Sequence, residues 1–446
     1  MEGTVSANAP APRHVRLHPT RLVLLARHLP VHPELDQLTH EANDLLRAIH
    51  AGDSAAIEEL GNFHPSPVEP SRAELADAKL VLARSYEAPS WTRLVQAVQL
   101  VDAIWRDDLE MVRDLVTRSP ALIHESALIR RNSNWGPPMT YAANVGRDRI
   151  IELLHSLGAT DLQSAMQRAA LQGEIGTAQL LHTMLGKPVP PDGSLEGPAY
   201  TLNLEGTAFL LGLGTRVHND AGKLLAPVDV VLETDSRNPG AKHAILELYA
   251  RHGVELPDTP MMALHRGRID LLEKHLRRDP QLLRRTFSDR AIYPAEMRCG
   301  DPIEATVGTP LNGTTLLHMC ADYDEIEMAR WLLDQGMDVN ARAATGAGGF
   351  GGYTALFATV VSQPNFWMNQ HRRGPFVAPL TELLLERGAD PNVRASLWKQ
   401  LHAGYGDASR HEYRAVTALS WGRRFHAPIF VSKPAMRLIE EAGGID

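Results

Sequence analysis

The stretch "NGTTLLHMCADYDEIEMARWLLDQGMDVNARA" (Asn312–Ala343) divides into parts with separate physical jobs. Gly313 lets the backbone turn because it lacks a Cβ. Thr315 stands where an N-cap hydroxyl accepts from free backbone N–H groups. "LLHMCA" reads as a short apolar helix. "IEMARWLL" reads as a second, with Ile326, Ala329, Leu332 and Leu333 on one face. Trp331, Leu332 and Leu333 are expected to support the core between units. Gly336 is placed to stop the second helix in the left-handed conformation. Two helices this short cannot bury their shared face alone, so the pattern predicts stacked copies.

Copies recur on both sides. "PPMTYAANVGRDRIIELLHSLGA" (Pro137–Ala159), "SAMQRAALQGEIGTAQLLHTMLG" (Ser164–Gly186) and "MMALHRGRIDLLEKHL" (Met261–Leu276) repeat the pattern. "PAYTLNLEGTAFLLGLG" (Pro198–Gly214) is a shortened copy, and "VTALSWGRRF" with "AMRLIEEAGG" closes the chain. Weaker copies lie at Leu45–Leu60 and Val101–Val116, with an off-pattern helical pair between Glu69 and Ala97. Gly173 and Gly206 are expected to link paired helices, 33 positions apart (206 − 173).

The unit resembles the ankyrin repeat: a turn, a Thr-Pro-Leu-His-like inner helix, an outer helix, and a Gly-Ala-Asp loop. Here Leu316 stands for the usual proline, Cys320 for an alanine and Asp324 for a glycine. The resemblance covers most of Asp44–Asp446 in about nine imperfect units. It implies an all-α solenoid whose inner helices and finger loops bind a partner. It also implies a structural hydrogen bond for His318 in the turn.

Composition agrees with a globular chain: 446 residues, 44% hydrophobic and 22% charged, with a formal net charge of −8. No long basic face is visible, which weighs against nucleic acid. Cys299 and Cys320 are too few for a disulfide framework or a four-thiolate zinc site, and suit a reducing, cytoplasmic setting. No segment reaches the roughly 18 apolar residues of a membrane span. No cofactor is expected, since "GAGGFG" (Gly346–Gly351) lacks the strand-to-helix context of a dinucleotide fingerprint, and no metal site, since His318 and Cys320 are two apart on a helix and no H-E-x-x-H motif occurs. The expected organisation is a flexible or extended segment over 1–40, degenerate repeats with an added helical pair over 41–124, central repeats over 125–285, and C-terminal repeats with long insertions over 286–446.

The insertions set this chain apart from a plain array. His124–Gly136, Lys187–Gly197, Thr286–Gly313, Ala343–Gly352 and Ser396–Ala415 precede inner helices, where fingers project. Ser362–Phe376 and His426–Pro434 fall between paired helices. They carry Trp, Tyr and Arg, the residues that binding surfaces use. Partner contacts are therefore expected from Trp105, Arg106, Trp135, Asn144, Asp322, Tyr323, His402, Tyr405, His411 and Arg424. The favoured reading is a soluble scaffold for a protein, a peptide or a polar small molecule. The alternative is a hydrolase or lyase whose insertions close a pocket. It would use Asp322, Tyr323, His411, Glu412 and Tyr413, since histidine, carboxylate and tyrosine suffice for acid–base chemistry. In that reading Asp322 and Tyr323 face His411 and Glu412 across the groove.

Overall fold

A computed structural model describes residues 27–130, 133–234, 237–300, 309–361, 377–401 and 409–446. Of the segment expected to be flexible or extended over 1–40, residues 1–26 lie outside them, while Leu35 onward forms the first helix; residues 362–376 also lie outside them. The chain divides into two compact units. One comprises residues 1–102 and 128–133, the other 103–127 and 134–446.

The smaller unit holds α1 (Leu35–His50), α2 (Ser54–Phe63), α3 (Leu75–Ser85) and most of α4 (Trp91–Trp105). Leu38, Ala42, Leu45 and Ile49 recur at helical spacing and form the buried stripe of α1. α1 packs on α2 and α3, and His50 Nε2 donates to the Ala73 carbonyl at 2.9 Å.

The larger unit begins with α5 (Leu109–Arg118), α6 (Pro138–Asn144), α7 (Asp148–Ser156), α8 (Leu162–Gln172) and α9 (Ile175–Met184). It continues through α10 (Glu196–Tyr200), α11 (Leu204–Gly212), α12 (Val228–Glu233), α13 (Pro239–Arg251), α14 (Pro260–His265) and α15 (Ile269–Arg278). Then come α16 (Asp289–Ile292), α17 (Leu316–Tyr323), α18 (Ile326–Asp334), α19 (Ala355–Val360) and α20 (Pro379–Glu386). The strands β1 (Ala395–Gln400) and β2 (Arg410–Val416) precede α21 (Ala418–Arg424) and α22 (Lys433–Glu441). The fold is predominantly helical. β1 and β2 form an antiparallel hairpin within the segment expected to be a loop insertion.

Helices pair in chain order: α6 with α7, α8 with α9, α10 with α11, α12 with α13, α14 with α15, α17 with α18, α19 with α20, and α21 with α22. The first members also pack on one another, as α6 on α8, α8 on α10, α17 on α19 and α19 on α21. Every residue of α6, α17 and α19 is buried. These inner helices have no open face.

The quoted unit folds as read with one correction, and the shortened copy needs a second. Thr315 caps α17 and shares a capping box with His318, and Gly336 is left-handed at φ 90°. The buried face of α18 is Met328, Ala329 and Leu332. Ile326, Trp331 and Leu333 lie at its half-exposed margin, because Met328 rather than Leu333 points inward.

The second correction concerns Gly206. The residues between paired helices adopt left-handed backbone at Gly146, Gly173, Gly267 and Asp324, with φ of 66°, 78°, 62° and 60°. In the shortened copy this position is Leu202, at φ 50°, a conformation that L side chains adopt at some cost. Gly206 sits inside α11, where its role is close approach. A Cβ there would run into the carbonyl oxygen of Ala170 on α8. Gly206→Ala should therefore cost about 1–3 kcal/mol through overpacking. Gly212→Ala in the same helix meets nothing within 4 Å and should cost nothing or stabilise slightly, since alanine is the better helix former. Thermal melts of the two variants check this, and equal melting temperatures would remove the close-approach assignment.

Candidate functional site

Asp322 and Tyr323 end α17, and both are buried. The chain before α13 brings Arg237 to them. Its Nε donates to the Asp322 carbonyl and its Nη2 to Asp322 Oδ2 at 2.9 Å. Both side chains of this pair are almost closed to solvent, at 9% and 4% exposure. The guanidinium also lies 4.7 Å from the Tyr323 ring centre. From the first turn of α13, Lys242 Nζ sits 3.7 Å from the same centre and 3.8 Å from Glu325 Oε1. That Glu325 oxygen is already bonded by His243 Nε2 at 2.8 Å.

Residues 287–300 of the Thr286–Gly313 insertion close the other side. Tyr293, just past α16, shares a hydroxyl–hydroxyl hydrogen bond with Tyr323, and Tyr323 donates to the Leu232 carbonyl at 2.7 Å. His265 at the end of α14 stands edge-on to Tyr323, 5.3 Å between centres, and its Nε2 donates to the Ile292 carbonyl at 3.0 Å. Farther along the insertion, Glu233 Oε1 accepts from the Gly300 N–H at 3.0 Å. The inserted finger is thus bonded onto α12, α14 and α17.

Burial dominates the electrostatics here. It holds the Lys242 ammonium down to about 8, with the Glu325 carboxylate only partly offsetting it and Arg237 adding to it. It pushes the Tyr323 phenol up, well out of reach of ionisation near neutrality, and holds His265 in its neutral form. Asp322 carries an ion pair, and Tyr323 has both hydroxyl functions engaged. Lys242 makes no hydrogen bond among the described residues, so its charge is held by a ring face and one shared carboxylate.

Of the other expected contacts, Asn144 is buried. Its Nδ2 donates to the Thr140 carbonyl at 2.9 Å, and its Oδ1 accepts from Arg168 Nε at 2.9 Å and Gln172 Nε2 at 3.3 Å. Arg168 lies 5.7 Å from the Trp135 ring centre, and burial lowers it to about 10. The structure therefore brings Trp135 and Asn144 to one arginine. Trp105 is half-buried and Arg106 exposed; the Trp105 carbonyl accepts from Arg147 at 2.7 Å.

The hairpin splits the polar set read from its sequence. Strand alternation sends His411 and Tyr413 to the face of Lys399 and Leu397, and Glu412 to the face of Trp398. Tyr413 Oη lies 2.6 Å from His426 Nδ1, and the His411 ring stacks on His426 at 3.9 Å. Glu412 turns the other way and accepts from Arg410 at 3.1 Å and Arg414 at 2.8 Å. Asp322 and Tyr323 thus take their partners from α12, α13, the residues between them and the 286–300 finger, while Tyr413 and His411 both meet His426 and His411 also bonds Ser409. His411 and Glu412 do not share a face. Arg424 is exposed. His402 and Tyr405 lie outside the described residues.

On the outward face of the hairpin the arginines meet aromatic rings. Arg410 lies 4.6 Å from the Trp398 ring centre and 5.5 Å from that of Phe350, and Arg414 lies 4.4 Å from Phe350. Gly351 bridges to Ser396, which carries the Gly346–Gly351 loop alongside β1. Arg410, Glu412 and Arg414 are exposed, and Phe350 and Trp398 half-exposed.

Sequence reasoning missed Arg237, Lys242, Glu325, Arg168 and His426. A signal existed for Lys242. It occupies the buried stripe of α13 with Ile245, Leu246 and Tyr249, and a lysine at a stripe position is unusual.

Residues 312–344 match the ankyrin repeat family, so the unit that opened the reading is an ankyrin repeat. No curated protein matches the chain. Among the described residues, no helix is long and apolar enough to cross a membrane.

The buried ammonium has a measurable consequence. Between about 8 and the usual 10.5, the unfolded chain holds a proton on Lys242 that the folded chain releases. Stability from this group therefore rises with pH across that window, by about 3 kcal/mol in total. The stability of Lys242→Met relative to wild type should fall by about 3 kcal/mol between pH 7.5 and pH 10.5. Taking the difference of paired melts cancels the tyrosines that also titrate there. A pH-independent difference would remove the assignment.

Proposed function

We propose that the chain is an ankyrin-type solenoid, built of stacked helix pairs with ordered finger insertions, that binds a protein partner through its fingers. The carrying observation is the contrast between the inner helices α6, α17 and α19, which are buried along their whole length, and the hairpin and Gly346–Gly351 finger, which expose arginines beside half-exposed aromatic rings. Exposed Arg, Trp and Phe held in fixed positions fit the anchors that dominate protein interfaces. In this reading His411, Trp398 and Phe350 contribute to the partner surface, while Asp322 and Tyr323 hold the 286–300 finger in place and Asn144 joins α6 to α8. We place the protein in the cytoplasm, where the two free thiols, Cys299 and Cys320, persist.

The hydrolase or lyase alternative draws less support. Its acid–base residues divide between two sets of neighbours, and the hydroxyl and carboxylate of Tyr323 and Asp322 are engaged in bonds that fasten one element to another.

Hydrogen exchange of the full chain, free and bound to a partner purified from its native cells, tests the reading. New protection is expected over 343–352 and 395–416. Protection confined to the outer helices α18, α20 and α22 would overturn it.

A further inference from the structure

A stretch near the end of the chain is rich in cations. Between Ala395 and Arg437 it carries Lys399, Arg410, Arg414, Arg423, Arg424, Lys433 and Arg437, against only Asp407 and Glu412. Seven cations less two anions leave a formal +5 in that stretch, which Glu440, Glu441 and Asp446 lower to +2 by the last residue, in a chain whose total is −8. The outward face of the hairpin lies in this basic stretch.

There the guanidinium groups are fixed in place. Arg410 is laid over both Trp398 and Phe350, and Arg414 over Phe350. Stacking on a ring holds the plane of a guanidinium and leaves its N–H edge available, the geometry that suits a carboxylate fork. One carboxylate is already there. Glu412 accepts from Nη2 of Arg410 and from Nη2 of Arg414. Each guanidinium has five N–H groups. Arg410 gives one to Glu412; Arg414 gives one to Glu412 and one to the Gly348 carbonyl. Arg410, Arg414 and Glu412 together keep a net charge of +1, and both arginine side chains are about half-exposed, at 49% and 58%.

We propose that this ring-backed arginine pair docks an acidic segment of a protein partner, whose Asp or Glu carboxylates take the N–H edges that Glu412 leaves open. The inference rests on the protein-binding reading above and names the partner's chemistry. Single-stranded nucleic acid fits less well, because it binds by stacking bases on ring faces, and here guanidinium groups already lie over Phe350 and Trp398.

Fluorescence anisotropy with a fluorescein-labelled oligoglutamate peptide and the full chain tests the proposal, with oligouridylate as the second arm. Saturable binding to the peptide is expected, weakening with salt. Arg410→Ala and Arg414→Ala should each weaken it by about tenfold or more, as loss of a charge-assisted hydrogen bond does. Glu412→Gln should tighten it, because the peptide no longer competes with an internal carboxylate. A purely structural ladder would show lower melting temperatures in all three variants with peptide binding unchanged, and that result overturns the proposal. So does the absence of saturable peptide binding, or tighter binding of oligouridylate through the same arginines. If the proposal fails while exchange protection by the native partner still maps to the fingers, protein binding stands and only the acidic chemistry falls. Protection elsewhere would remove the protein-binding reading itself.

Discussion

Helices of six to eight residues are not stable in water, because the cost of the first turn is spread over too few hydrogen bonds. α14, α17 and α19 are of this length. They persist because every side that could face water is packed, and the packing is completed by polar links to a later segment. His318 Nε2 donates to the Tyr353 carbonyl at 2.9 Å and His265 Nε2 to the Ile292 carbonyl. Burial keeps both rings neutral, lowering His318 to about 4, so the links survive across the physiological pH range. A finger loop is thus part of the core of the helix it covers. This is how residues 287–300 are held against the helices they cover.

The same constraint separates two kinds of polar chemistry. Around Tyr323, charges are drawn inward and consumed in fastening α13, α17 and the 286–300 finger together. Replacing one partner there leaves another buried and unpaired, which costs far more than the bond was worth. Around Phe350 and Trp398, the charges stay at the surface and the rings only hold them in position. Losing one of these guanidinium groups should cost little stability. A buried cluster and an exposed ladder can therefore contain the same residue types and serve opposite ends.

The repeat at 312–344 was legible because its signals are local. The Thr315 cap, the left-handed Gly336 and the capping partner His318 all act within a few positions. Reading failed where the cause was tertiary. Gly206 looks like a turn glycine, yet the turn belongs to Leu202 and the glycine answers to a carbonyl on another helix. The hairpin was hidden because buried Lys399 breaks the apolar alternation of β1. Asp322 and Tyr323 could be singled out as the end of an inner helix. Their partner Arg237 lies 85 positions away in the chain, and no spacing rule joins them.

Lys242 carries one more consequence. An amine with 2% of its side chain exposed is hidden from acylating reagents and enzymes alike while α13 stays seated. Its modification therefore waits on an opening of the structure. The rate at which this one lysine is labelled is a clock for the separation of α13 from α17, running inside the folded protein and readable without unfolding it.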